Sequence, residues 1–193
     1  LTVAKYFTPT GRSIQKPYTA GDEEGYSMDI INRYKHNEFF SADSIQFADS
    51  LKFVTPKGKT VYGGGGIMPD ITTPIDTSDY TDYWAELSRR GVLAEFVVSF
   101  LDNHRSELAA QYSTDDKFVD QFVVSDTMIE NLAIFAEQKG IARRDDELAI
   151  SRDAIAEIIK GLIAQRLWDT TAYFKVVNSS NPMLRAALDV LDN

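Results

Sequence analysis

Few residues of this chain have the type and spacing to do chemistry. Ser13-Ile14-Gln15-Lys16 is a formal S-x-x-K, a spacing that makes a nucleophile when Ser and Lys lie one helical turn apart and the amine takes the hydroxyl proton. Gly11 stands two residues ahead of it, Pro17 follows the Lys, and no K-T-G segment accompanies it. The segment reads as extended, and in a strand residues three apart point to opposite faces. Gly58-Lys59-Thr60 looks like the end of a phosphate-binding loop, but Phe53 stands where that loop needs its first glycine. Gly64-x-Gly66 would need a third glycine where Pro69 stands, so the dinucleotide pattern fails too. His36 and His104 lack H-E-x-x-H spacing and there is no Cys, which leaves only carboxylates to build a metal site. Asp76, Asp79 and Asp82 lack the alternation and glycine of a calcium loop and read as helix-cap and first-turn acids. No catalytic, cofactor-binding or metal-ligating residue is assigned within the chain, and no cofactor is expected.

The elements around these residues fall into two kinds. Leu1 to Phe7 alternates β-branched, aromatic and polar residues and predicts a strand, stopped by Thr8-Pro9-Thr10-Gly11. Residues 12 to 16 resume extended structure, Thr19 to Gly25 reads as a polar excursion, and Met28, Ile31 and Tyr34 allow a short helix within 26 to 40. Phe47, Leu51 and Phe53 before Pro56-Lys57-Gly58, with Val61 and Tyr62 after it, predict a β-hairpin. The run Gly63 to Gly66 implies a place where backbone must approach closely without side chains.

After Thr77 the apolar period becomes helical. Tyr80, Tyr83, Trp84 and Leu87 predict a helix capped near Thr77 to Asp79, and Leu93 through Leu108 a longer one after Gly91. Ser125 caps a third that ends at Lys139-Gly140. A fourth spans residues 151 to 168 behind Ser151 as its cap, with Ile155, Ile159 and Ile163 in its stripe. Asn181-Pro182 opens a last one with Leu184, Ala187, Leu188 and Leu191 inward.

Charge supports the same division. Of the 20 Lys+Arg and 29 Asp+Glu, residues 1 to 75 hold 8 and 8, so the whole net charge of −9 lies in the second part. Five of six Pro and eight of eleven Gly lie in the first part, setting a boundary near Thr73 to Ser78. The acidic surface argues against phosphate tracking, so no nucleic-acid partner is expected. No apolar stretch approaches the roughly 20 residues that cross a bilayer. The fold class expected is α+β: a partial β-sheet with a hairpin at residues 1 to 75, followed by a predominantly helical domain at residues 76 to 193.

The head also carries a family resemblance. Leu1, Thr2, Ala4, Tyr6, Thr8, Pro9, Gly11, Arg12, Ile14 and Gln15, with Gly66, Ile67, Pro69 and Asp70 further on, resemble the C-terminal processing peptidases, the tail-specific serine proteases. In these a strand of the form L-T-x-A-x-Y-x-T-P-x-G-R-x-I-Q leads to G-I-x-P-D. The insertion between the two parts and the helical tail are similar to the long-tailed type of Bacteroides-like bacteria. The resemblance implies a serine-type endopeptidase, a hydrolase acting by a Ser/Lys dyad. Both dyad residues would lie ahead of Leu1, in G-S-A-S and G-K-G segments that this sequence does not contain. It also implies protein or peptide substrates for the parent enzyme, a periplasmic or cell-envelope location, and room for a homo-oligomer. On this expectation residues 1 to 75 are the last part of a protease core, and residues 76 to 193 serve structure, assembly or regulation. The alternative expectation is a non-enzymatic helical protein-interaction module bearing a β-hairpin.

Overall fold

The computed structural model describes residues 4 to 16, 19 to 38, 44, 51 to 63 and 71 to 192. It is an α+β chain in two compact units, Leu1–Ile75 and Asp76–Asn193.

The first unit is built on two turns of one design. Thr55-Pro56-Lys57-Gly58 joins strands β1 (Lys52–Val54) and β2 (Thr60–Tyr62), which pair antiparallel with Phe53 opposite Val61. Pro56 pre-sets its φ, and Gly58 takes φ +79°, a left-handed angle that a side chain resists. The Gly58 N–H donates to the Thr55 carbonyl at 2.8 Å, the Thr55 N–H to the Lys59 carbonyl at 2.8 Å, and the Lys59 N–H to Thr55 Oγ1 at 3.0 Å. Thr8-Pro9-Thr10-Gly11 repeats each of these bonds, with Gly11 at φ +85° and the Arg12 N–H on Thr8 Oγ1 at 3.2 Å. Both are three-residue hairpin loops closed by a glycine bulge.

The strand predicted over Leu1 to Phe7 is not formed in its described part. Ala4 to Tyr6 carry no strand and Phe7 makes a single antiparallel bridge to Ser13, because a lone pair of short arms gains too little to extend the ladder. Leu1 to Val3, Phe47 and Gly64 to Gly66 lie outside the described residues. Gly63 is described and buried. A Cβ there would lie 3.0 Å from Phe53 Cε2, so the β1 ring does seat against bare backbone. The helix α1 (Glu23–Lys35) begins inside the stretch read as an excursion, because Asp22 accepts the Gly25 N–H at 2.9 Å and Glu23 and Glu24 fill its first turn.

The second unit holds α2 (Asp82–Arg89), α3 (Val92–Gln111), α4 (Asp115–Gln121), α5 (Asp126–Gln138), α6 (Asp145–Leu167), α7 (Thr170–Ser180) and α8 (Pro182–Leu191). Side chains of Thr81, Thr114, Ser125, Asp169 and Asn181 cap α2, α4, α5, α7 and α8. The end of α5 is a Schellman motif: the Ile141 N–H reaches the Ala136 carbonyl and the Gly140 N–H that of Glu137, both at 2.9 Å, while Ile141 is buried.

The long α6 is the axis of this unit, packing against α2, α3, α4 and α7. Ile155, Ile159 and Ile163, one turn apart, are fully buried, each worth about 1.5–3 kcal/mol against exposure. On another face Gly161 admits α7, since a Cβ there would lie 2.9 Å from Tyr173 Cδ2. Phe118 of α4 stacks on Phe122 at 4.5 Å and meets Tyr112 and Trp168 at 5.3 Å.

Three readings of this tail are corrected. The fourth helix starts at Asp145 rather than at Ser151, because Asp145, Asp146 and Glu147 favour its N-terminal dipole and Leu148 is already in the core. Ser151 is an interior residue with no exposed surface. The last helix turns Leu184 only partly inward and leaves Ala187, Leu188 and Leu191 exposed: α8 fully buries no residue, and Leu191 is 80% exposed. Two helices, α4 and α7, were not anticipated.

Candidate functional site

Ser13 and Lys16 do not form a dyad. Ser13 Oγ accepts the Gln15 N–H at 3.2 Å. Lys16 Nζ donates to the Tyr26 carbonyl at 2.6 Å, pairs with Asp29 at 3.3 Å and lies over the Tyr26 ring. The amine is thus spent tying the first turn to α1, with no bond to the hydroxyl it would have to activate. Gly58 and Lys59 belong to the hairpin turn, as the failed phosphate-loop spacing implies.

The histidines are equally local. His36 is the C-cap residue of α1. His104 shares a hydrogen bond of 2.9 Å through Nδ1 with the Phe100 carbonyl one turn back and stacks on that ring at 4.3 Å. Asp82 sits in the first turn of α2, and Asp76 accepts the Ser78 N–H at 2.9 Å, which holds its carboxyl below the usual range. Among the described residues no three His, Cys, Asp or Glu side chains gather as a metal site.

The richest polar constellation joins α2 to α6. Thr81 Oγ1 and Ser151 Oγ lie 2.7 Å apart and the Thr81 N–H donates to Ser151 Oγ at 3.3 Å. Glu147 Oε2 accepts the Tyr83 N–H at 2.6 Å, and Arg144 bridges Glu86 at 3.0 Å and Glu147 at 3.5 Å. Every one of these groups answers a neighbour within the fold, so the cluster is a structural joint. Beside it the Tyr83 hydroxyl and Trp84 Nε1 are buried without hydrogen-bond partners among the described residues, and burial pushes the Tyr83 phenol up.

An open, shallow groove of about 460 Å³ lies between α3, α5 and the last turn of α6. Val98 and Phe135 give it an apolar floor, with Val98 41% exposed. Lys139 Nζ pairs with Glu95 at 2.5 Å and lies 5.2 Å from the centre of the Phe135 ring. Asp102 and Arg166 complete the rim. The Arg105 guanidinium donates to the Arg166 carbonyl at 2.9 Å, which fixes the end of α6 against α3. The Arg166 guanidinium itself has no hydrogen bond or ion pair among the described residues. The groove thus combines an apolar floor with two carboxylates and two cations on its rim, of which Lys139 and Glu95 pair with each other.

Sequence reasoning missed this groove, and its signal there is weak. Val98 interrupts an otherwise polar row of Glu95, Ser99 and Asp102 on α3, but nothing in a single sequence shows that α5 and α6 deliver Lys139 and Arg166 to the same row.

Comparison with known families gives one match: a model described as a family of unknown function (DUF8443) covers residues 83–169. That span runs from the first turn of α2 to the cap of α7 and includes the whole groove. No curated protein and no solved structure matches the chain.

Proposed function

We propose that this chain is the C-terminal part of a serine-type endopeptidase of the C-terminal processing kind. The parent would cleave protein or peptide substrates in the periplasm or cell envelope, by a Ser/Lys dyad carried on residues that precede Leu1. The observation that carries this reading is the ten-position match from Leu1 to Gln15. Local geometry supports it, because several matched positions have physical duties: Pro9 and Gly11 shape the turn, Thr8 receives two N–H groups across or near it, and the Arg12 guanidinium donates to the Tyr62 carbonyl at 3.4 Å. A dyad on other residues also accords with Ser13 and Lys16 being engaged apart from each other.

The test is a casein or tagged-peptide assay on two proteins. The full gene product should cleave and lose activity when its G-S-A-S serine is replaced by alanine, while the 193-residue chain should cleave nothing. A gene product lacking both G-S-A-S and G-K-G segments would defeat the reading.

A second reading, a helical protein-interaction module, is favoured by one specific observation: the groove on α3, α5 and α6 lies wholly within the span matched by the family model. Among the described residues no helix is long and apolar enough to cross a membrane.

A further inference from the structure

We draw no further inference here: the strongest candidate, the exposed apolar face of α8 formed by Met183, Leu188, Val190 and Leu191, carries nothing because nothing in the structure shows what covers it.

Discussion

Glu147, in the first turn of α6, completes the N-terminus of α2: its Oε2 accepts the Tyr83 N–H at 2.6 Å across 64 residues of sequence. A capping box places its Glu or Gln three residues after the cap, and Trp84 occupies that position after Thr81. The carboxylate is borrowed from another helix, so the cap exists only when α2 and α6 are docked. Glu147→Ala should therefore lower the unfolding free energy by about 1–3 kcal/mol, the range for stranding a hydrogen-bonded group beside a charged partner. Urea denaturation should return that loss, and a cycle with Thr81→Ala should show coupling between the two caps.

Ser151→Val should be worse than Ser151→Ala. Ser151 has no exposed surface and its hydroxyl is the partner of Thr81 Oγ1. Alanine removes both hydrogen bonds with Thr81 at a cost of about 1–3 kcal/mol, while valine adds volume to a filled site and strands the same two groups. Thermal melts of the two variants should separate by several degrees.

Gly161→Ala should destabilise despite the better helix propensity of alanine. The gain is about 1 kcal/mol, but the new Cβ would sit 2.9 Å from the Tyr173 ring, and an aromatic ring on a packed helix yields only by displacing α7. A net loss of about 1–2 kcal/mol is expected. Gly161→Ala combined with Tyr173→Ala should recover the part due to the clash, measured against Tyr173→Ala alone.

Ile159→Asp should abolish the cooperative melt followed by helical circular dichroism, since the residue is fully buried between two other buried isoleucines. A variant that melts like the parent would mean that this face of α6 does not hold the unit together.

Acid should weaken the fold in a defined window. Hydrogen bonds from Lys175 hold the Asp115 carboxyl below its ordinary range and those from Arg143 do the same for Glu130. A carboxyl depressed in the folded state stabilises fully above its unfolded pKa and loses that contribution as pH falls through the folded value. The urea midpoint should be level from about pH 7 to 5 and drop below about pH 4. Lys175→Met should make the drop shallower, because the Asp115 contribution is then absent at every pH.

The helices that sequence reveals best are those whose stop and start signals are local. Ser125 and Lys139-Gly140 mark both ends of α5, and Asn181-Pro182 opens α8, because each signal acts on amides or carbonyls within a few residues. The hairpin at Pro56-Lys57-Gly58 is legible for the same reason. What escapes is set by distant partners. Ser151 has the residue type of a cap, yet its hydroxyl serves Thr81 in another helix. The α7 sequence TTAYFKVVNSS is rich in β-branched and aromatic residues and has little helical period, but Asp169 caps it, Ala172 and Val176 are buried and the helix packs against α4 and α6. The face of α8 reads as core by its spacing and is exposed. The groove lies beyond sequence reading altogether, because its residues come from three helices whose meeting is a matter of packing.

The joint between Thr81 and Ser151 also bears on the order of events in time. Its two residues are 70 apart in sequence, whereas α6 and α7 adjoin and meet over a tight connection. Loop-closure entropy makes the near pairing fast and the far one slow, so the α6–α7 hairpin assembles early and α2 docks late. The same ordering run backwards lets α2 detach before the α6–α7 hairpin opens, and its amides should exchange with solvent deuterium well before those of α6.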